Sequence, residues 1–280
     1  MIPAEFPYRR VSSVDEAISA LGQGGEDAKL LAGGHSLIPL MKLRLAAPTL
    51  LIDVGGIGEL KGAERSNGGW RIGALTTHAM LQDTGDLGVV SAAASQIADQ
   101  QVRNCGTIGG SLAHADPASD LPGVMLATEA SFTAKSASGE RTIAASEFFQ
   151  DYLTTELEPG EVLTRIDIPS LDGWDWGFEK FTRRAEDWAM VGVTALVRVS
   201  DGTCEDVRVG LTNMGSTPLR ATAVEDALRG QPLDEERIAS AAGHAAKGTE
   251  PPVDLNATAE YKSHLARVLT ARALRTAAGV

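Results

Sequence analysis

Apolar residues near the start of the chain recur with the spacing of a helix that buries one face. Ser13 and Glu16 stand three positions apart, as in a capping box, and this pair predicts that a helix begins after Ser13. Gly22 follows the last apolar position and predicts the end of the helix. The apolar positions of the predicted helix are Val14, Ala17, Ile18 and Leu21.

Short apolar runs bounded by turn-forming residues come next, and each predicts a strand. The first of them leads directly into Gly33-Gly34. An alanine-rich stretch predicts a helix over 90–102, whereas 104–122 predicts a loop because Gly, Ser, Asp and Pro dominate it. The predicted strands of this half are 29–32, 49–54, 70–73, 130–134, 139–143 and 162–168.

The pattern changes at 169–177, where a proline, two glycines and two tryptophans cluster, and this change predicts a domain boundary. Two long β-type runs, 190–199 and 207–212, follow the boundary. Thr222 and Glu225 form a second capping-box pair, which predicts the start of a helix. Two further amphipathic helices are predicted over 234–246 and 257–278. A mixed first half followed by strands and then helices indicates an α+β fold.

The charge and hydropathy of the chain exclude some partners. The 25 Lys and Arg stand against 37 Asp and Glu, for a formal net charge of -12, so no nucleic acid partner is expected. No apolar run reaches the ~18 residues that a membrane-spanning helix requires. The start, MIPAEFPYRR, lacks the basic and apolar regions of a signal peptide. We therefore expect a cytoplasmic protein without a membrane span.

Cysteine and histidine spacing gives no sign of a metal site. The two cysteines, Cys105 and Cys204, cannot supply four thiolates to an iron–sulfur cluster. The five histidines show neither an HExxH motif nor a similar ligand spacing. We therefore expect no metal bound by this chain alone.

Glycine-rich turns are the candidate chemistry. The segment Gly56-Ile57-Gly58 resembles a dinucleotide fingerprint, but Lys61 replaces its last glycine. Gly33-Gly34 and Gly109-Gly110 each follow an apolar segment and precede small polar residues. Paired glycines allow backbone N–H groups to converge on an anion, so the two turns together suggest a diphosphate site. Either pair by itself is more often a simple turn.

Three separated motifs carry a family resemblance: LLAGGHSLIPLMKLR, TIGGSLAHADPASD and FEKFTRRAEDWAMVGV. Together they resemble the FAD-binding medium subunit of molybdenum hydroxylases, in particular the aerobic carbon monoxide dehydrogenase medium-subunit group. The FAD subunit of xanthine dehydrogenase is similar but more distant. The resemblance implies a p-cresol-methylhydroxylase-type FAD-binding domain over 1–172, with subdomains of about 1–57 and 58–172. A small α+β C-terminal domain over 173–280 would follow.

The resemblance also implies which positions contact FAD. The residues from Ala32 to Ser36 would wrap the diphosphate, and those from Thr107 to Ser111 would form a second diphosphate turn. No side chain is implied as a catalytic acid, base or nucleophile, because FAD supplies the redox chemistry. The implied FAD-binding residues are Leu30, Leu31, Ala32, Gly33, Gly34, His35, Ser36, Leu37, Ile97, Thr107, Ile108, Gly109, Gly110, Ser111, Asp116, Asp120, Leu163 and Lys180.

Four of these positions keep alternatives open. Asp116 and Asp120 are also typical of side chains that cap turns in a proline-containing loop. Lys180 matches a lysine near the flavin, but it is also compatible with a surface salt bridge. Ile97 stands where xanthine-type relatives carry an aromatic residue against the adenine.

The function implied by the resemblance is electron transfer through FAD. Enzymes of the family hydroxylate a substrate at a molybdenum–pterin centre and pass electrons through two 2Fe–2S clusters to FAD. Since this chain cannot ligate those clusters, it would be the flavin module alone. Its partners would be a large molybdenum-binding subunit and a small 2Fe–2S subunit, in a dimer of heterotrimers.

Two other functions stay open from the sequence. A stand-alone FAD-dependent oxidoreductase would act directly on a small substrate, and a scaffold subunit would have lost FAD. The small helical region after residue 172 is unlike a substrate domain, which favours the subunit. The intact glycine turns disfavour the scaffold.

Overall fold

The N-terminal layer is a parallel sheet covered by a helix. The computed structural model describes residues 2–280, and this layer comprises β1 (Tyr8–Arg10), α1 (Val14–Gly24), β2 (Lys29–Leu31), α2 (Leu37–Lys42) and β3 (Leu51–Asp53). The strand order is β1-β3-β2, and both pairs run parallel. Parallel strands need crossover connections, and α1 and α2 supply them.

The predicted start of α1 is confirmed. The Ser13 hydroxyl accepts a hydrogen bond from the Glu16 N–H at 3.2 Å, while the Glu16 carboxylate accepts one from the Ser12 N–H at 2.8 Å. The predicted end at Gly22 is wrong. The helix continues to Gly24 and stops where Gly25 adopts a φ of 76°.

The second layer is an antiparallel sheet with helices on one face. Its strands are β4 (Ala63–Ser66), β5 (Gly69–Gly73), β6 (Ser131–Ser136), β7 (Gly139–Ala144) and β10 (Val162–Ile168), in the order β4-β5-β10-β6-β7. Between β5 and β6 lie α3 (His78–Asp83), α4 (Val89–Ser95), α5 (Gln100–Cys105), α6 (Ile108–His114) and α7 (Asp120–Ala127). Ile72, Phe132 and Ile166 of the sheet pack against Leu112 and Met125 of these helices in one buried core. After β7 come α8 (Ala145–Phe148) and a small hairpin of β8 (Phe149–Asp151) and β9 (Thr154–Thr155).

The predicted helix over 90–102 is wrong as a single element. The chain leaves the helical conformation after Ser95, and Ala98 takes a positive φ of 42°. Asp99 then caps a new helix by accepting the Val102 N–H at 2.8 Å. The Arg103 guanidinium donates to the carbonyls of Ile97 and Ala98, so the break leaves these groups paired.

The predicted loop over 104–122 is wrong where it contains α6. The Thr107 hydroxyl accepts the Gly110 N–H at 3.1 Å and caps that helix. Loop-forming composition was therefore overridden by a cap and by burial of Ile108 and Leu112.

The third layer is an antiparallel sheet followed by helices. Its elements are β11 (Asp175–Phe181), β12 (Val191–Ser200), β13 (Thr203–Thr212), β14 (Leu219–Arg220), α9 (Thr222–Leu228), α10 (Glu235–Ala242) and α11 (Ala259–Ala278). The strand order is β11-β12-β13-β14, and α11 packs on β11 and β12. Helix α7 of the second layer packs on β12 and β13, so the first and second halves of the chain share an interface.

The second predicted capping box is wrong. No side chain caps α9, and the Glu225 carboxylate instead accepts the Val209 N–H and pairs with Arg220 at 2.7 Å.

The predicted α+β fold class is confirmed. The boundary after residue 172 stays a prediction. Within residues 2–280, no helix is both long and apolar enough to cross a membrane.

Candidate functional site

A cavity of about 540 Å³ lies where the C-terminal end of β2, the α5–α6 segment, β10 and the end of β11 meet. All but two of the predicted FAD-binding residues line it. The two exceptions are Ile108, which is fully buried in the core, and Asp116, whose carboxylate accepts the Ala118 N–H at 2.9 Å in a local turn. The lining residues from the prediction are Leu30, Leu31, Ala32, Gly33, Gly34, His35, Ser36, Leu37, Ile97, Thr107, Gly109, Gly110, Ser111, Asp120, Leu163 and Lys180.

The first glycine segment lines this cavity and has unpaired backbone N–H groups. Within residues 2–280, the N–H groups of the five consecutive residues from Gly33 to Leu37 have no hydrogen-bond partner. The backbone hydrogen bonds of α2 begin only with Ile38, which donates to the Gly34 carbonyl at 3.0 Å. Consecutive free N–H groups form a concave site for an anion, as a phosphate group requires.

Gly33 allows this segment to lie against the α5–α6 connection. A Cβ atom at Gly33 would overlap the Cys105 carbonyl oxygen and lie 2.7 Å from the Gly106 Cα atom. Any side chain here would therefore separate the two backbones. The sequence requires glycine at this position because two chain segments come into direct backbone contact.

In the second glycine segment, the N–H groups from Ile108 to Ser111 are already hydrogen-bonded within the protein, so this segment does not present a row of free N–H groups. The Ile108 and Gly109 N–H groups donate to the carbonyls of Thr76 and Ala74, at 3.0 and 2.9 Å. The Gly110 N–H donates to the Thr107 hydroxyl. The two segments nevertheless face each other, since a Cβ atom at Gly110 would lie 3.9 Å from the Ala32 Cβ atom.

A buried ion pair lies at the other side of the cavity. Lys180 Nζ donates to Asp120 Oδ2 at 2.7 Å and to the Gln96 carbonyl at 3.0 Å. The side chains of Lys180 and Asp120 are 3% and 5% exposed, so the alternative of a surface salt bridge for Lys180 is wrong. The pair connects β11 to the first residue of α7 and therefore joins the two halves of the chain.

Burial raises the pKa of Asp120 to about 6, although the charge and hydrogen bond of Lys180 act in the opposite direction. Asp120 Oδ1 has no hydrogen-bond partner within the described residues. A buried acceptor without a partner costs about 1–3 kcal/mol, so a ligand that donates to this oxygen gains that free energy.

His78 is a cavity-lining residue that sequence analysis missed. It is 5% exposed, and burial lowers its pKa to about 4, with smaller contributions from His35 and Arg103. His35, His78 and His114 all line the cavity, although no sequence motif connects them. No pattern in the sequence indicates that His78 lines a cavity.

Metal ligands do not cluster in the part of the chain that the structure describes. Over residues 2–280, no group of three His, Cys, Asp or Glu side chains could hold a metal ion.

Comparison with known proteins gives matches over nearly the whole chain. Residues 4–171 match the model of the FAD binding domain in molybdopterin dehydrogenase, and residues 176–277 match that of the CO dehydrogenase flavoprotein C-terminal domain. The chain is 42% identical to the carbon monoxide dehydrogenase medium chain of Hydrogenophaga pseudoflava, across 99% of this chain and 98% of the relative. It is 38% identical to the 6-hydroxypseudooxynicotine dehydrogenase complex subunit alpha of Paenarthrobacter nicotinovorans, across 99% and 96%. The solved structure of the Hydrogenophaga pseudoflava carbon monoxide dehydrogenase superposes with a TM-score of 0.96 at 43% identity, across 99% of this chain and 98% of that one.

Proposed function

The chain belongs to the family of FAD-binding medium subunits of molybdenum hydroxylases, and we propose that it takes electrons from a partner iron–sulfur subunit and passes them through FAD to an external acceptor. The sequence resemblance and the expected FAD-binding domain are confirmed by these matches. The chain is thus a flavoprotein subunit of a molybdenum-containing oxidoreductase.

The single observation that carries the FAD proposal is the row of free N–H groups from Gly33 to Leu37. A diphosphate bears two negative charges, and charge-assisted hydrogen bonds from backbone N–H groups stabilise such charges strongly. The chain has a net charge of -12, which is unfavourable for an anionic ligand. Backbone N–H groups can bind the diphosphate without several cationic side chains. When bound, FAD would supply the electron transfer, and the protein would position it and tune its potential.

The remaining lining residues have roles that suit a large planar cofactor. Leu30, Leu31, Leu37, Ile97 and Leu163 would pack against the rings and exclude water from them. The Lys180–Asp120 pair would place a positive charge, held by a neighbouring carboxylate, beside the flavin. The second glycine segment would lie close to the first and would contact FAD through the Ser111 hydroxyl rather than through its N–H groups.

We further propose that partner chains complete the enzyme. Two cysteines cannot ligate 2Fe–2S clusters, so a small 2Fe–2S subunit and a large molybdenum-binding subunit would carry the other centres, in a cytoplasmic dimer of heterotrimers. Exposed apolar side chains next to α2 support a docking surface there. Leu43 is 56% exposed and Leu45 is 74% exposed.

Purification with and without the partner subunits tests this proposal. We expect about one FAD per chain in the complex and reduction of that FAD when the complex meets its substrate. A complex that assembles without flavin absorbance would overturn the FAD assignment. A flavin-loaded chain that oxidises a small substrate without partners would instead support the stand-alone oxidoreductase.

A further inference from the structure

Two serine hydroxyls form a hydrogen bond between the segments that line the cavity. Ser111 lies in α6 and Ser119 directly precedes α7, and both residues line the cavity. Their Oγ atoms lie 2.6 Å apart, so one hydroxyl donates to the other. Ser119 is 5% exposed, and the pair is therefore a contact at the wall of the site rather than on the outer surface.

A count of protons shows that this pair has a donor to spare. Two hydroxyls carry two protons, and the hydrogen bond between them uses one. Within residues 2–280, neither Oγ atom makes a second hydrogen bond. Whichever serine donates, the other keeps an O–H group without an acceptor. This remaining donor is available to a ligand that fills the cavity.

The face of α6 that carries Ser111 is turned toward the cavity. Ile108 and Leu112 are fully buried in the core and do not line the cavity, whereas Gly110, Ser111 and His114 do. Residues three or four positions apart share one face of a helix, as Ser111 and His114 do. Ser111 therefore projects from the cavity side of the helix, opposite the core.

The surroundings of the pair indicate which part of FAD it meets. On one side, a Cβ atom at Gly110 would lie 3.9 Å from the Ala32 Cβ atom, next to the first glycine segment. On the other side, Ser119 is followed by Asp120, which pairs with Lys180. In FAD, the ribityl chain connects the diphosphate to the isoalloxazine ring. With the diphosphate at the first glycine segment and the ring beside the ion pair, the ribityl chain falls at the two serines.

The hydrogen-bonding chemistry of the site suits a ribityl hydroxyl. The serine pair lacks an acceptor for one proton, and Asp120 Oδ1 lacks a donor within the described part of the chain. A hydroxyl group both accepts and donates, so it meets both needs. A diphosphate offers acceptors only, and its charge would be repelled by the Asp120 carboxylate.

We propose that Ser119 is a further binding residue, which pairs with Ser111 so that one hydroxyl of the pair donates a hydrogen bond to a ribityl oxygen of FAD. The inference rests on the proposed FAD function and adds a side-chain contact for the part of the cofactor between the diphosphate and the ring. Neither the glycine motifs nor the sequence resemblance assigned Ser119.

The test uses the assembled complex after removal of its flavin, with FAD, riboflavin, lumiflavin and ADP as probes. Riboflavin carries the ribityl chain without a diphosphate, lumiflavin carries the ring without the ribityl chain, and ADP carries the diphosphate without the flavin. Ser119→Ala removes one hydroxyl of the pair and should weaken FAD and riboflavin binding about 10-fold. The affinities for lumiflavin and ADP should stay those of the unmodified protein.

A second serine pair provides a matched control. Ser136 Oγ and Ser138 Oγ lie 2.8 Å apart at the turn between β6 and β7, and neither residue lines the cavity. Ser138→Ala should therefore leave the affinities for all four probes unchanged. Ser111→Ala removes the other hydroxyl of the cavity pair and should give the same selective loss for FAD and riboflavin. The double variant Ser111→Ala/Ser119→Ala should lose little more than either single variant, because the two hydroxyls act as one unit.

The outcomes distinguish this inference from the function it rests on. Failure of the unmodified complex to bind FAD would overturn the proposed function, and the inference with it. Normal FAD binding by the unmodified complex, together with an unchanged riboflavin affinity in Ser119→Ala, would overturn the inference alone. A loss for ADP without a loss for riboflavin would show a contact to the other half of FAD, and equal losses for riboflavin and lumiflavin would show a packing role. Either of these two results would also overturn the ribityl contact.

Discussion

Two segments with nearly the same letters, AGGHS at 32–36 and TIGGS at 107–111, fold in different ways. In the first, the N–H groups from Gly33 onward have no partner within the described residues. In the second, the N–H groups of Ile108, Gly109 and Gly110 donate to Thr76, Ala74 and Thr107, respectively. A glycine pair therefore does not reveal by itself whether its backbone binds a ligand or packs against the protein.

The difference arises from what lies on each side of the glycines. Thr107 precedes the second pair and caps a helix, so its glycines become the first turn of α6. Ser36 follows the first pair and makes no side-chain cap on α2. The second segment thus lines the cavity as a helical turn with its side chains, whereas the first segment lines it with free backbone N–H groups.

The largest expected effect on FAD affinity comes from adding a methyl group to the first segment, and the same change in the second segment serves as the comparison. Gly33→Ala would drive a Cβ atom into the Cys105 carbonyl and separate the backbones, so we expect FAD affinity to fall about 100-fold or more as several amide contacts move. Gly110→Ala meets only the Thr107 hydroxyl at 2.8 Å and the Ala32 Cβ atom, and we expect a much smaller loss. Flavin titration with each variant measures the difference.

A matched control shows whether the loss is local. Gly22 lies in α1 with no atom within 4 Å of an added Cβ, and Gly22→Ala should leave FAD binding unchanged while raising stability by up to about 1 kcal/mol. Equal FAD affinities in Gly33→Ala and Gly110→Ala would break the distinction between the two segments.

A smaller effect is expected when the cap of the second segment is removed. Thr107→Ala deletes the acceptor of the Gly110 N–H, and we expect a loss of about 1 kcal/mol in the free energy of unfolding. Ser36→Ala removes a hydroxyl that caps nothing and should change stability by less than about 0.5 kcal/mol. Urea denaturation of the flavin-free chains measures both. A larger loss for Ser36→Ala than for Thr107→Ala would show that the first segment is the one held by side-chain capping.

Local pattern predicted the start of α1 and the more apolar strands, because each depends on residues that are neighbours in sequence, whereas β1, β4 and β11 were not predicted. Ser13 and Glu16 carry their own capping signal, and β10 over Val162–Ile168 agrees with the predicted range. The break before Asp99 was missed, since alanine periodicity continued past a capping residue that was present in the sequence. The glycine-rich composition around Thr107 similarly concealed a helix.

The parts of the site that sequence analysis could not assemble depend on distant pairing. Lys180 and Asp120 are 60 positions apart, and no local pattern connects them. The position of His78 against Gly106 depends on how α3 meets the end of α5. The resemblance identified Asp120 and Lys180 one by one, but only the fold shows that they form one buried pair.

An effect of similar size to that of Thr107→Ala, but dependent on pH, is expected from the pair of Asp120 and Lys180. The pKa of Asp120 is raised from its usual 3.8 to about 6, mainly by burial. Between these values the folded chain binds more protons than the unfolded chain, so the contribution of Asp120 to stability is largest below about pH 4 and falls as the pH rises through 6. From pH 5 to pH 7 this loss amounts to about 1 kcal/mol.

The double variant Asp120→Asn/Lys180→Met isolates this contribution, because it removes both charges and keeps two side chains of similar size. The free energy of unfolding of the flavin-free unmodified chain, minus that of the double variant, should fall by about 1 kcal/mol between pH 5 and pH 7. A difference that rises over the same interval would mean that Lys180 holds the carboxylate ionised in spite of its burial. In that case the Asp120–Lys180 pair, which follows the second segment in the chain, would stabilise the folded protein. Of the two segments' contributions, only the unpaired N–H groups of the first would then lower the free energy of unfolding.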